Sequence, residues 1–163
     1  MKETFEQLQL ADLDECIQII KNRIEWMDQV GLQQWNVTKY LEVYPRSYFK
    51  SLIQTGKFYS LKSSEGRLLG IAALLTEDER WEKFGTEPAY YIHHLTTSLS
   101  ARGAGERMLV FIENKANKEG RKVRLDCAID NAALNTYYEK LGYQQVGSCI
   151  DGLYVGNLRE KAG

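Results

Sequence analysis

Apolar residues along this chain change their period several times, and the changes mark out the elements. Between Thr4 and Leu10 they alternate roughly with polar ones, through Phe5, Leu8 and Leu10, which predicts a first strand. From Leu13 the spacing becomes three and four: Leu13, Cys16, Ile17, Ile20, Ile24 and Met27 form one stripe. That is an amphipathic helix, with Asp12 and Glu15 as a capping-box-like start and Gly31 as its stop. After an unperiodic stretch, Tyr40, Tyr44, Tyr48 and Phe49 crowd an aromatic zone. Pro45 suits the first turn of a second helix running to about Thr55, with Gly56 closing it. Phe58–Lys62 and Arg67–Leu75 then read as a hairpin joined through Ser63-Ser64-Glu65-Gly66. Thr76 to Pro88 is polar and loop-like, interrupted by Trp81 and Phe84.

The second half is more regular. Tyr90 to Thr97 predicts a strand, and a helical pattern follows from Met108 to about Lys118. Lys122–Ala128 predicts another strand, and Asn131 opens a short helix, Ala132 to Leu141, closed by Gly142. Tyr143–Ile150 and Leu153–Leu158 pair as strands about the tight-turn signal Asp151-Gly152. The order is strand, two helices, three strands, helix, strand, helix, two strands. Hairpins outnumber crossovers, so an α/β chain of the α+β type is expected. Its sheet should be mixed and mostly antiparallel, with about four helices on its faces, rather than doubly wound. At 163 residues a single domain over 1–163 is expected, large enough for a core without disulfides or structural metal.

Composition narrows the classes. A net charge of −1 argues against a broad nucleic-acid surface. Three cysteines (Cys16, Cys127, Cys149) without a CxxC pattern read as reduced thiols in apolar settings. The start, Met1-Lys2-Glu3-Thr4, shows no apolar leader, and no window approaches a membrane span, so a cytoplasmic protein is expected. Two histidines and no spaced Cys/His set give a metal site no support.

Candidate chemistry centres on Ser100-Ala101-Arg102-Gly103-Ala104-Gly105-Glu106-Arg107. A strand, a glycine turn and a helix in that order aim unpaired backbone N–H groups at the positive end of a helix dipole, which suits a phosphate or pyrophosphate. No Gly-Lys-Ser/Thr follows, so this is not a Walker loop. It is not a dinucleotide fingerprint either, because the third small residue is missing and the element order differs.

Leu95 to Gly105, followed by Asn131 and by Tyr138-Glu139-Lys140-Leu141-Gly142-Tyr143, resembles the GNAT superfamily of N-acetyltransferases. Arg102-Gly103-Ala104-Gly105 matches the Arg/Gln-x-x-Gly-x-Gly/Ala loop of that family, and Asn131…Tyr138 its second signature. The resemblance covers nearly the whole order of elements. It implies a splayed sheet, an acetyl-CoA cosubstrate without metal, and a primary amine of a small molecule or protein as acceptor, acetylated by direct transfer in a ternary complex. The loop amides from Arg102 to Arg107 would hold the pyrophosphate. Leu95, Thr96 and Thr97 would pair through their backbone with the pantetheine arm, and Asn131 would offer its side-chain amide to it. Tyr138 would be the general acid, giving a proton to the departing thiolate. The resemblance also makes a monomer or homodimer the expected state.

The base is not supplied by the motif, since the strand before the loop lacks the glutamate found there in many family members. His93 lies by the period-two rule on one face with Tyr91, Leu95 and Thr97, and imidazole suits the task; a water chain is the alternative. Tyr91 and the loop residue Trp35 are candidates for contacting the acceptor. Arg107 and Glu106 depart from the family pattern: the first brings a cation near phosphate, the second a repulsive carboxylate unless it turns outward. Lys140 and Arg121 are candidates for the outer phosphate. A non-catalytic coenzyme-A-binding sensor of the same fold, and a transferase of longer acyl groups, are the competing functions.

Overall fold

Among the described residues the seven expected strands and four expected helices appear in the expected order, with one short helix, Tyr40–Val43, added before the second. In the computed structural model, which describes residues 2–85 and 87–162, the strands are β1 (Thr4–Gln7), β2 (Phe58–Lys62), β3 (Leu68–Leu75), β4 (Ala89–Thr97), β5 (Lys122–Ala128), β6 (Gln144–Asp151) and β7 (Tyr154–Ala162). The helices are α1 (Leu13–Val30), α2 (Tyr40–Val43), α3 (Arg46–Gln54), α4 (Ala104–Lys118) and α5 (Ala132–Lys140). The strands make a mixed α/β sheet in the order β1-β2-β3-β4-β5-β7-β6. β1–β2, β2–β3, β5–β7 and β6–β7 pair antiparallel, while β4–β5 is parallel.

The chain forms two compact units, Met1–Leu74 with His94–Phe111 and Leu75–His93 with Ile112–Gly163. In the first, the apolar stripe of α1 is buried at Leu13, Cys16, Ile19, Ile20 and Met27. Phe49 of α3 stacks on Phe58 of β2 at 5.7 Å, and both rings are fully buried. A buried side chain of this size contributes about 1.5–3 kcal/mol, several times a part-exposed ion pair such as Lys62–Asp12. The core therefore dominates. β3 is apolar and buried along nearly its whole length, and Gly70 in its middle leaves the space that Met108 of α4 fills.

Asp12 departs from expectation. A turn of 3-10 helix, Leu10–Asp12, precedes α1, so Asp12 is already helical (φ −88°, ψ −6°) and caps nothing in α1. Its carboxylate instead accepts the Gln9 N–H at 3.1 Å, one turn earlier. Gly31 ends α1 in the left-handed region (φ 76°), as its position predicts.

In the second unit, Trp81, Ala89, Tyr91 and Leu158 make a buried cluster, with Leu75, Phe84 and Cys149 packed on it. Trp81 belongs to a 3-10 segment, Glu79–Phe84, so the stretch expected to be loop contains an anchored turn. Gly147 has no Cβ because the Phe84 ring occupies that space. β4 and β5 pair from Ala89↔Lys122 to Tyr91↔Arg124.

Candidate active site

In the first unit the segment Arg102–Arg107 closes a turn and begins α4. Gly103 sits in the left-handed region at φ 70°, where a side chain would be strained, and a Cβ there would lie 3.1 Å from Arg107 Nη1. The Arg107 N–H bonds the Gly103 carbonyl at 3.2 Å and starts the helical ladder. The amides of Gly105 and Glu106 precede that first bond and have no carbonyl four residues back within the helix. With Arg102, Gly103 and Glu106 exposed and Ala104 buried, the turn offers amides and a dipole to an anion with several oxygens.

Arg107 has a different task from the one its position suggests. Its guanidinium bonds Glu3 twice, at 2.7 and 3.0 Å, and donates to the Arg102 carbonyl at 2.7 Å. It braces the turn, and Glu3 neutralises it.

The strand leading to this turn carries a feature that period-two reading misses. His94 is not glycine, yet its backbone is left-handed (φ 58°), so simple alternation does not carry through it. Such a conformation costs about 1–3 kcal/mol and persists only where the surroundings enforce it. Tyr40 Oη bonds His94 Nδ1, Tyr48 Oη lies 2.8 Å from Nε2, and Tyr44 and Phe49 set their rings edge-on to the imidazole. Both ring nitrogens therefore meet a tyrosine hydroxyl. Trp35 stacks on Tyr40 at 4.2 Å and so joins the same aromatic group. The four-residue spacing of Tyr40, Tyr44 and Tyr48 was the signal; nothing in the sequence tied it to His94. Beyond it, Arg23 donates to the Thr97 carbonyl and hydroxyl at 3.0 and 2.9 Å, and Thr96 is buried with its hydroxyl on the His94 carbonyl. Leu95 is half-buried.

In the second unit Asn131 is the N-cap of α5, its Oδ1 accepting the Leu134 N–H at 3.1 Å. That bond fixes the side chain and leaves its Nδ2 as the donor end. Tyr138, two turns on, is 7% exposed, its ring 5.4 Å from that of Tyr137 and 5.9 Å from that of Tyr143. Burial first, then the neighbouring Cys127, Tyr137 and Asp126, push its hydroxyl above the ordinary tyrosine range, so it stays protonated. A residue that sequence reasoning missed holds α5 in place. Asn135 Oδ1 accepts from Cys127 Sγ, Asn157 Nδ2 and Arg159 Nε at 3.2, 2.9 and 3.2 Å, while its Nδ2 donates to the carbonyls of Ala128 and Asn131.

His93 Nε2 lies 2.8 Å from Asp78 Oδ2. Ligand atoms of Asp78, His93 and Asp126 come within 4.8 Å of one another, a spacing that can hold a cation. Arg80 already supplies positive charge there, its Nη1 3.3 Å from both Asp126 oxygens. Tyr91 is buried in the Trp81 cluster, and its hydroxyl accepts from Arg124 at 2.8 Å. Arg121 lies over the Tyr90 ring and donates to the Ala89 carbonyl, whereas Lys140 is exposed. No described helix is long and apolar enough to cross a membrane.

The model of the acetyltransferase (GNAT) family matches residues 24–143. The uncharacterised N-acetyltransferase YesJ of Bacillus subtilis strain 168 is 26% identical over 153 residues, covering 88% of this chain and 83% of its own. Among solved structures, a GNAT-family acetyltransferase from Listeria monocytogenes 4b F2365 superposes with a TM-score of 0.83 at 21% identity, covering 99% of this chain and 95% of that one. The PaiA N-acetyltransferase of Thermoplasma acidophilum, solved in complex with coenzyme A, gives 0.75 at 17% identity over the full length of both. With the family model spanning most of its length, the chain belongs to the GNAT acetyltransferase family.

Proposed function

We propose that this protein transfers an acetyl group from acetyl-CoA directly to a primary amine, carried by a small molecule or a protein. The observation that supports it most is the turn at Gly103: a left-handed glycine leading into the first turn of α4, with the Gly105 and Glu106 amides ahead of the helical ladder where a pyrophosphate needs donors. Arg102, Gly103, Ala104, Gly105 and Glu106 would hold that end of the cosubstrate, and Arg107 would keep the turn in shape. Leu95 and Thr96 would offer strand backbone groups to the pantetheine arm; the Thr97 carbonyl already accepts from Arg23. Asn131 would give its Nδ2 to the same arm. Acetyl-CoA supplies an acyl thioester, and the chain's part is to bind it, orient the amine and manage protons.

Tyr138 holds a proton on Oη for the sulfur that leaves, and His93 takes one from the acceptor nitrogen. The thiols support direct transfer. Burial pushes Cys16 up to about 12 and Cys127 up to about 11, and it also raises Cys149, so near neutral pH all three stay as weakly nucleophilic thiols. Trp35 and its aromatic neighbours would contact the acceptor. The test is thiol release from acetyl-CoA with polyamines, aminoglycosides, amino acids and N-terminal peptides. Amine-dependent release is expected, with a pH–rate profile altered by His93→Ala. Binding without release across the whole panel identifies a coenzyme-A sensor instead.

A further inference from the structure

The stretch 76–88 reads in sequence as a polar loop, yet one carboxylate in it is fixed at both oxygens. Asp78 Oδ1 accepts the Arg80 N–H at 2.9 Å and so caps the turn Glu79–Phe84. Asp78 Oδ2 meets His93 Nε2 at 2.8 Å, with the two side chains only 8% and 16% exposed. The turn is held by Trp81, 1% exposed, packed with Ala89, Tyr91 and Leu158. Tyr91 lies two residues before His93 on β4, so one apolar cluster places both partners of the pair.

The surrounding charges are paired among themselves. Arg80 Nη1 faces both oxygens of Asp126 at 3.3 Å, and its Nη2 reaches Asp151 at 2.8 Å. The Tyr154 hydroxyl donates to Asp126 at 2.6 Å. Asp126 and Asp151 therefore have their own donors, and Asp78 is hydrogen-bonded to the imidazole.

We propose that Asp78 is the positioning residue for the proton acceptor, holding His93 as the Nε2–H tautomer with its lone pair on Nδ1. An ionised carboxylate can only accept, so the nitrogen bonded to it must carry the hydrogen. Burial opposes ionisation of Asp78, but the bond and charge of His93, helped by the Arg80 amide and guanidinium, outweigh it. Its carboxyl lies below the usual range and is ionised at neutral pH. When a proton leaves the acceptor nitrogen for Nδ1, the imidazolium keeps its bond to Asp78, whose charge stabilises it. No other bond in the pair changes. The catalytic part rests on His93 acting in the proposed transfer; the tautomer does not.

Asp78→Asn separates the two. The amide keeps an oxygen for the Arg80 N–H, so the cap survives, while its nitrogen now donates toward Nε2 and favours the opposite tautomer. Imidazole spectra of the ligand-free protein with nitrogen-labelled histidine should show Nε2–H at His93 in the native chain and Nδ1–H in Asp78→Asn. With an amine substrate, kcat should fall at least about tenfold with the KM for acetyl-CoA unchanged, and Asp78→Glu should recover part of it. Identical tautomers in both proteins, or a kcat within about twofold, overturn the proposal. If the variant does not fold, the native spectrum decides alone, and Nδ1–H there is fatal. A native protein that transfers no acetyl group refutes the functional reading instead, while the spectra still judge the pair.

Discussion

Replacing Tyr138 by phenylalanine removes one hydroxyl and keeps the ring that packs near Tyr137 and Tyr143 at 5.4 and 5.9 Å. Because the ring stays, the folded state should lose about 1 kcal/mol or less. The rate has more at stake. A positioned general acid contributes about 10²–10⁴-fold, or about 2.7–5.4 kcal/mol at 1.36 kcal/mol per tenfold. Water can stand in for part of it, so the floor for Tyr138→Phe is about a tenfold loss of kcat, with acetyl-CoA affinity unchanged. Burial raises Tyr138 above its ordinary value of about 10, so its proton is retained through that pH and it causes no falling limb in the rate below it. The assay is thiol release at saturating substrates beside calorimetric binding of acetyl-CoA. An unchanged kcat would remove Tyr138 from the chemistry.

Three further outcomes follow from the geometry. Gly103→Ala forces a side chain into a left-handed backbone, costing about 1–2 kcal/mol, with its Cβ 3.1 Å from Arg107 Nη1. Calorimetry should show acetyl-CoA binding weakened about tenfold, and unaltered affinity would take the turn out of the binding site. Asn135→Ala deprives Cys127, Asn157 and Arg159 of an acceptor and two carbonyls of a donor. Denaturant titration should report a loss of about 2–4 kcal/mol; a value under about 0.5 would mean the network carries no weight. The Asp78 carboxyl lies below its unfolded value of about 3.9, so its contribution is present above that pH and is lost as pH falls through the folded value. Melting temperatures of the native chain should therefore drop more between pH 7 and about 3 than those of Asp78→Asn, and equal drops would contradict the hydrogen-bonded Asp78–His93 pair.

Where periodicity and capping agree, the elements were legible. Lys122–Ala128 is strand from end to end because its apolar positions alternate between the Gly120 turn and the Asn131 cap, and Gly31 closes α1 as its position suggests. Asp12 stands just before α1 as expected, but its carboxylate serves the 3-10 turn that precedes the helix, a turn whose local signals match those of an α-helical start. The segment 76–88 looked like loop because one tryptophan has no period; only the packed cluster shows that Trp81 anchors it. The turn at Arg102–Arg107 and the start of α5 were visible as local strand–turn–helix patterns. Long-range partners were not. Arg107 meets a glutamate 104 residues away, and His94 is bonded by tyrosines 54 and 46 residues earlier. No spacing rule reaches that far, and the left-handed backbone at His94 breaks the alternation used to assign faces on β4.

The most direct test of direct acetyl transfer follows the acetyl group itself. The protein is mixed with carbon-labelled acetyl-CoA and an amine that supports thiol release, then quenched during turnover, and both protein and amine are weighed by mass spectrometry. Label in an amide on the acceptor nitrogen, with the protein mass unchanged throughout, is the predicted result. Label accumulating on the protein before it reaches the amine would contradict direct transfer, and thiol release with no labelled amide would contradict the acetyltransferase reading.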